Sequence, residues 1–263
     1  MNGNRNRSSR IEMDYSRLSM NQIEICDKLR KFKVPSMAKA LAEQFSNPNN
    51  ELSPFIERMR DIVDAEFQSR AERKFRRMLD DSKLKYPDAT FDEKLNMPDR
   101  KIDCQLVSRL CECNWVKEAK ILSITGATGT GKSYLACAFG ISAMHKGFTV
   151  RYYFMQSLIN MLKRSSETNT MLEFMNGLDA VDLLIIDDFG YTEEKGQKKK
   201  VVNYHRLFEV LNAREGRRAT IIAAQLDRTE WYELFDDDIC ADACMDRITK
   251  GNYILELDGP SLR

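Results

Sequence analysis

The second half of the chain alternates short apolar runs with amphipathic stretches. The apolar runs read "KILSIT", "TVRYYF", "DLLIID", "ATIIAA" and "YILEL", and segments such as "YLACAFGISAMHK" and "YHRLFEVLNAR" separate them. Strands that alternate with helices indicate parallel β-α-β units. "DLLIID" is apolar almost throughout, as expected of a strand that is covered on both faces. We therefore predict an α/β domain over residues 101–263, with a parallel sheet flanked by helices.

The first half carries only helical signals, from about Ile11 to Lys85. In "PSMAKALAEQF" the residues Met37, Leu41 and Phe45 recur at a spacing of four, which places them on one helix face. Ser53-Pro54 is typical of an N-cap followed by a first-turn proline, and a long helix is predicted from there to about Leu84. The predicted organisation is a disordered basic tail over 1–10, a small all-helical N-terminal domain over 11–85 and a linker over 86–100.

Composition narrows the class of protein. The chain has 263 residues, of which 43% are hydrophobic and 31% charged, which is typical of a globular protein. No apolar run approaches the roughly 20 residues that span a bilayer. The basic start has no apolar stretch after it, so it is not a secretory signal. Seven cysteines at scattered spacings suit a reducing compartment, so we expect a cytoplasmic protein without a membrane partner.

Three glycines lie between the strand "KILSIT" and the helix that follows it. The segment "GATGTGKS" matches the phosphate-loop pattern G-x-x-x-x-G-K-[ST] in the strand–loop–helix context that this motif needs. Glycines let backbone N–H groups surround phosphate oxygens, and the helix N-terminus adds partial positive charge. We predict ATP binding, with Lys132 on the β- and γ-phosphates and Ser133 on Mg²⁺. The predicted nucleotide-binding residues are Gly126, Ala127, Thr128, Gly129, Thr130, Gly131, Lys132, Ser133 and Tyr134.

An acidic pair follows the strand "LLII". Asp187, at the end of that strand, is predicted to bind Mg²⁺ together with Ser133. Asp188, one residue past the predicted strand end, could polarise the attacking water. An acidic strand end before the turn at Gly190 is the plainer alternative.

Two further residues are candidates for catalysis. Gln225 ends the strand "ATIIAA", where its amide could hydrogen-bond the γ-phosphate or the attacking water, or could simply be a polar residue at a strand end. Arg247 lies in a predicted helix near the last strand. An arginine there could stabilise phosphoryl charge at a neighbouring active site, or form a surface salt bridge.

These motifs together resemble those of IstB-like proteins, the ATP-binding helper proteins of insertion-sequence transposition. The resemblance rests on "GATGTGKS", "LLIIDDFG", "IIAAQLDRTEWYE", "ADACMDRI" and "LELDGPSLR", and on "LRKFKVPSMAKALAEQ" and "RAERKFRRMLDDSKLK" in the helical half. It covers about Ile23 to Arg263. It implies an AAA+ ATPase close in motif to DnaC-type helicase loaders, acting on duplex DNA and a transposase as a homo-oligomer with ATP at subunit interfaces.

The resemblance also implies roles for single residues. Lys132 and Ser133 fall on the Walker A lysine and hydroxyl, and Asp187 on the Walker B carboxylate. Asp188 falls where many AAA+ proteins have a catalytic glutamate, and its shorter side chain predicts slow hydrolysis. Gln225 falls on sensor I, and Arg247 on the arginine finger that acts on the adjacent subunit.

DNA binding must come from local basic patches, because the net charge is only +1. Arg70, Arg73, Lys74 and Arg77 recur at helical spacing and could neutralise phosphates without reading sequence, although a solvated helix face is the alternative. Lys163 and Arg164 are further candidates, because they lie where loader relatives carry a DNA-facing insertion. The weaker candidates are Lys198–Lys200, Arg214, Arg217 and Arg218.

The predicted function is therefore an ATP-dependent DNA-binding helper that stimulates or targets a transposase. A DnaC-like replicative helicase loader is the nearest alternative, with the same fold and a different client. A small-molecule kinase would need a substrate pocket and a lid of arginines, which the sequence does not show. A scaffold that binds ATP without turnover would keep Lys132, and a phosphate-release assay would identify it.

Overall fold

The computed structural model describes residues 18–91, 102–190, 204–225, 231, 238–259 and 261. The chain folds as two compact units, Met1–Lys74 and Phe75–Arg263. The predicted tail over 1–10, most of the predicted linker and Lys198–Lys200 lie outside the described residues. Among the described helices, none is long and apolar enough to cross a membrane.

The first unit is helical, as predicted. It contains α1 (Met20–Lys31), α2 (Pro35–Ser46), a 3₁₀ helix (Pro48–Leu52) and most of α3 (Phe55–Ser82). Ser19 starts α1 through a capping box, in which its hydroxyl accepts from the Gln22 N–H and its own N–H donates to the Gln22 side chain at 2.8 Å. A small core of Cys26, Ala38 and Ala42 holds α1 against α2.

The second unit contains the five strands and the remaining helices. Its strands are β1 (Ile121–Gly126), β2 (Val150–Phe154), β3 (Leu183–Phe189), β4 (Ala219–Ala224) and β5 (Tyr253–Leu257). The described helices after α3 are α4 (Cys104–Cys111), α5 (Asn114–Lys117), α6 (Lys132–His145), α7 (Met155–Glu167), α8 (Met171–Asp179), α9 (Tyr204–Arg214) and α10 (Asp238–Thr249).

All five strands are parallel, in the order β2-β3-β4-β1-β5. One face of the sheet packs on α6 and on Trp115, and the other face packs on α7, α9 and α10. β4 is buried along its whole length, which explains why its sequence is apolar except for Thr220. The α/β fold class predicted from the alternating runs is confirmed, and the carboxyl ends of β1, β3 and β4 meet at one edge.

The opposite edge of the sheet, where the strands begin, is held by a buried arginine. Arg214 is 2% exposed, and its guanidinium donates to the carbonyl oxygens of Leu178, Val181 (3.0 Å) and Ala219 (2.6 Å). It also donates to the Thr220 hydroxyl at 3.2 Å. The prediction of a DNA contact is therefore wrong for Arg214, because a guanidinium occupied by main-chain carbonyls inside the protein cannot reach a phosphate.

Candidate nucleotide-binding site

The phosphate loop connects β1 to the first turn of α6, as predicted. Gly129 has φ +86°, a conformation that L side chains rarely adopt, and a Cβ there would overlap the side chain of Ser261. A Cβ at Gly126 would overlap the carbonyl oxygen of Leu257. The two glycines are therefore required by backbone conformation and by the close approach of the end of β5 and of Ser261.

The side chains of the loop are held by partners at the same edge of the sheet. Lys132 is buried, and its ammonium donates to the Ala127 carbonyl oxygen at 2.7 Å. The Thr130 hydroxyl donates to the same oxygen at 2.9 Å. The Thr128 hydroxyl donates to the Gln225 side chain at 2.9 Å, which brings the residue after β4 to the phosphate loop.

Asp187 lies in β3 and is 1% exposed. Its carboxylate accepts hydrogen bonds from the Tyr152 hydroxyl and, at 3.0 Å, from the Asp188 N–H. The Lys85 ammonium lies 3.9 Å from the Asp187 carboxylate. Burial and the adjacent Asp187 carboxylate raise the pKa of the Tyr152 hydroxyl, so Tyr152 remains a proton donor to this carboxylate.

Asp188 departs from its predicted place. The sequence predicted a residue past the strand end, but β3 continues to Phe189, with a pairing irregularity between Ile186 and Phe189. Asp188 adopts φ +54° at this irregularity. The apolar run gave no signal of the extension, because the strand geometry continues through two acidic residues. The irregularity turns Asp188 towards the cavity that contains the phosphate loop.

A cavity of about 460 Å³ brings the phosphate loop together with Asp188 and Gln225, and Asp187 is not among its described lining residues. It is lined by eight residues that the sequence predicted: Thr128, Gly129, Gly131, Lys132, Ser133, Tyr134, Asp188 and Gln225. Lys85 and Tyr86 also line it, and the sequence did not indicate them. Both lie just after α3, where the predicted helical domain ends at residue 85 and the predicted linker begins at residue 86. The aromatic residue and the proline in "KYPD" were the available signal of an ordered turn.

Arg247 is absent from the described lining of this cavity. Its guanidinium pairs with Glu215 at 2.8 Å, donates to the Asn212 side chain at 2.8 Å and lies 4.8 Å from the centre of the Phe208 ring. Both alternatives considered for Arg247 remain open on this geometry. The residue forms a salt bridge within its own chain, and its side chain is 22% exposed and held partly by side chains that can release it.

The residues of α3 that were predicted to contact DNA are exposed, but they are not equivalent. Arg70 and Arg73 pair with the buried carboxylate of Glu66 at 2.8 and 3.3 Å, while Lys74 and Arg77 are exposed on α3. Burial acts to raise the pKa of Glu66, but hydrogen bonds from Arg70 and from the Ser36 N–H outweigh it and lower that pKa. Part of the charge of Arg70 and Arg73 is therefore already neutralised.

The other predicted DNA contacts, Lys163 and Arg164, are exposed on α7. Arg164 lines a second cavity of about 610 Å³, which also contains Arg151, Tyr153 and Phe174. This cavity is larger than the one at the phosphate loop, but it lies beside the edge strand β2, away from the converging strand ends. Size alone therefore does not identify the nucleotide site, and the placement of the phosphate loop does.

The donors at the phosphate loop fit a nucleotide with a divalent cation. Glycine conformations leave the loop free of Cβ atoms where backbone N–H groups must approach phosphate. Ser133 supplies a hydroxyl, and Asp187 supplies a carboxylate beside Lys85. Hydroxyl, carboxylate and phosphate oxygens are the ligands that Mg²⁺ prefers.

Comparison with known proteins agrees with this site. The IstB-like ATP binding protein family matches residues 27–263. The insertion sequence ATP-binding protein y4pL of Sinorhizobium fredii (strain NBRC 101917 / NGR234) is 32% identical over 237 residues, covering 90% of this chain and 94% of the relative. The ATP-binding protein of insertion sequence IS1162 from Pseudomonas fluorescens is 30% identical, covering 75% and 84% of the two chains.

Solved structures are similar in fold. DnaI superposes with a TM-score of 0.52 at 23% identity, over 72% of this chain and 93% of that chain. Replication initiator DnaA bound to AMPPCP and single-stranded DNA gives a TM-score of 0.51 at 21% identity, over 66% and 51%. These likenesses confirm the AAA+ fold, and the family match covers both the phosphate loop and the acidic pair. The chain belongs to the family of IstB-like ATP-binding proteins.

Proposed function

We propose that this protein is an ATPase that assembles on duplex DNA in the presence of ATP and stimulates or targets the transposase of an insertion sequence. The observation that carries the proposal is the single cavity that contains Lys132, Ser133, Asp188 and Gln225. Membership of a family whose relatives are named for insertion sequences supports the transposition context.

Hydrolysis requires a polarised water beside the γ-phosphate. Asp188 is the carboxylate in the cavity that can accept a proton from this water, and the Gln225 amide can orient the water or the phosphate. Lys132 would exchange its bond to the Ala127 carbonyl for phosphate oxygens, which carry more negative charge. Mg²⁺ held by Ser133 and Asp187 would supply charge neutralisation of the phosphates.

Assembly would complete the site. Arg247 does not line the cavity of its own chain within the described residues, which supports a role at the ATP of a neighbouring chain. A head-to-tail arrangement of identical chains would present the same arginine at every junction. ATP would then stabilise the contact between chains as well as being the substrate.

Binding to DNA is proposed to use the exposed cations of α3, with Lys163 and Arg164 on α7. Lysine and arginine side chains on a helix bind phosphates without reading bases, so we expect little sequence preference. Lys74 and Arg77 should contribute most on α3, because neither pairs with a carboxylate of the described residues as Arg70 and Arg73 do.

Sedimentation with a duplex fragment tests this proposal. Large complexes should form with ATP, fail to form with ADP, and fail to form when Lys132→Ala replaces the wild type. Lys146→Ala is a matched control, because Lys146 is an exposed lysine that follows the other end of α6. Complexes of equal size without nucleotide would contradict the proposal, and so would phosphate release that does not respond to DNA.

A DnaC-like helicase loader remains the second candidate, since it would use the same ATP chemistry. The transposition helper and the helicase loader differ in the protein on which the assembly acts. A transposase encoded beside this chain should bind the ATP-dependent assembly and gain strand-transfer activity. Binding to a replicative helicase in place of the transposase would favour the loader.

A further inference from the structure

Lys85 places a second lysine in the nucleotide cavity. It lies three residues after the end of α3 and lines the cavity together with Lys132 and Asp188. Its ammonium lies 3.9 Å from the carboxylate of Asp187, the residue assigned here to the metal. The Lys85 side chain is 28% exposed and the Asp187 side chain 1%, so the pair joins a buried anion to a cation at the cavity wall.

The ammonium of Lys85 is held loosely. Its distance to the Asp187 carboxylate is at the outer limit of an ion pair, and among the described residues its other contacts are with the rings of Phe154 at 4.9 Å and Tyr86 at 5.5 Å. Contacts of a cation with ring faces are weak compared with charge-assisted hydrogen bonds. The head of Lys85 can therefore move within the cavity without breaking a tight bond.

The backbone that carries Lys85 is fixed. Leu84 and Ala89 are buried in the core on the α6 face of the sheet. The Tyr86 ring packs on the Tyr134 ring with centroids 5.7 Å apart, and the Thr90 N–H donates to the Tyr134 hydroxyl at 3.1 Å. Tyr134 directly follows the serine of the phosphate loop. A lysine whose backbone is fixed and whose ammonium group can move is suited to exchange between two nearby anions.

We propose that Lys85 is an exchangeable counter-ion of Asp187, which occupies this carboxylate when nucleotide is absent and moves to the phosphates when ATP enters with its divalent cation. The inference rests on the proposed ATP site. A divalent cation at Asp187 would repel the Lys85 ammonium at this short distance, while the triphosphate would attract it. The metal and the nucleotide would therefore bind together rather than the metal alone.

Removal of the Lys85 charge should change the affinities for metal and for ATP in opposite directions. Lys85→Met leaves Asp187 without this cation, so Mn²⁺ alone should bind about 10-fold more tightly than to the wild type. ATP in the presence of a chelator loses a phosphate contact, so its affinity should fall about 10-fold. General damage to the site would weaken both ligands, so the increase in metal affinity is specific to the proposal.

The experiment measures Mn²⁺ binding without nucleotide and ATP binding without metal in four proteins. These are the wild type, Lys85→Met, Lys85→Arg and Lys83→Met. Lys85→Arg keeps the charge and should resemble the wild type in its metal affinity. Lys83→Met, at an exposed lysine on the same segment, should change neither affinity. If Lys85→Met is unfolded, Lys85→Gln replaces it as the test.

The outcomes are distinguishable from failure of the ATP site itself. If the wild type does not bind ATP in a Lys132-dependent manner, both the proposed function and the inference about Lys85 are overturned. If it does, and Lys85→Met binds Mn²⁺ and ATP as the wild type does, only the exchange of Lys85 is overturned. Weaker binding of both ligands to Lys85→Met would also overturn it, because it would indicate a structural role.

Discussion

The two edges of the sheet hold basic side chains in opposite ways. Where the strands begin, Arg214 is 2% exposed, and carbonyl oxygens of Val181 and Ala219 accept from it at 3.0 and 2.6 Å. Where the strands end, the Lys132 ammonium bonds a loop carbonyl, and Lys85 lies 3.9 Å from Asp187. The same sheet thus presents a fixed cation at one edge and displaceable cations at the other.

Only the cations at the second edge are placed to bind a ligand. Burial lowers the pKa of Arg214 to about 10, so the guanidinium stays charged at neutral pH while the main chain saturates its donors. No phosphate could compete for those donors without unfolding the edge. The lysines at the other edge face a cavity, and a phosphate can replace their present partners.

Two aspartates, one within β3 and one just before it, should differ most in their effect on ATP hydrolysis. Asp188 lines the cavity, while Asp182 lies at the opposite edge and accepts from the Thr149 N–H and hydroxyl at 2.9 and 2.8 Å. Asp188→Asn should slow ATP hydrolysis about 1,000-fold and keep ATP binding, because the amide cannot accept a proton. Asp182→Asn should leave hydrolysis unchanged. Phosphate release and nucleotide binding measure the contrast, and normal turnover by Asp188→Asn would place the general base elsewhere.

Arg214→Met tests the fixed edge. Loss of the guanidinium removes its hydrogen bonds to buried carbonyl oxygens and to the Thr220 hydroxyl, so the free energy of unfolding should fall by about 3 kcal/mol. Urea denaturation measures this loss, and Arg217→Met, at an exposed arginine, should change stability by less than about 0.5 kcal/mol. Equal stability of the two variants would show that the buried bonds of Arg214 contribute little.

The sequence predicted the edge of the sheet that carries the phosphate loop better than the edge that Arg214 holds. The spacing of glycines, Lys132 and Ser133 has one physical use, so the phosphate loop could be located without coordinates. Arg214 was misread as a surface cation because its partners are carbonyl oxygens, which carry no sequence signal. Lys85 and Tyr86 were missed because their approach to the phosphate loop depends on packing between segments that are distant along the chain.

Arg247 differs from Arg214, since its partners include the side chains of Glu215 and Asn212. Arg247→Ala and Lys132→Ala should each lose hydrolysis, and their equimolar mixture should regain up to about a quarter of wild-type turnover, because one head-to-tail junction in four would pair an intact pocket with an intact arginine. Phosphate release from the mixture measures this. A mixture as inactive as its parents, despite co-assembly, would remove Arg247 from the neighbouring site.

The exposed cations of α3 should give the smallest effect. Arg73, Lys74 and Arg77 replaced together by alanine should reduce the slope of log affinity for DNA against log salt by about 0.9 for each lost phosphate contact. Because Glu66 already pairs with Arg73, Lys74→Ala alone should reduce the slope more than Arg73→Ala. Arg60→Ala, at an exposed arginine near the start of α3, is the control. An unchanged slope in the triple variant would make this face a solvated surface.

We assign the nucleotide site to the edge where the strands end, at Lys132, and not to the edge that Arg214 holds. The effect of ATP on the thermal unfolding of Lys132→Met and Arg214→Met tests this assignment most directly. The wild type should gain about 2.7 kcal/mol at an ATP concentration 100 times its Kd. Lys132→Met should unfold near the wild-type temperature without ATP and lose the shift that ATP causes, whereas Arg214→Met should unfold at a lower temperature and keep the full shift. The reverse pattern, an ATP shift that survives Lys132→Met and disappears in Arg214→Met, would contradict the assignment of the nucleotide site.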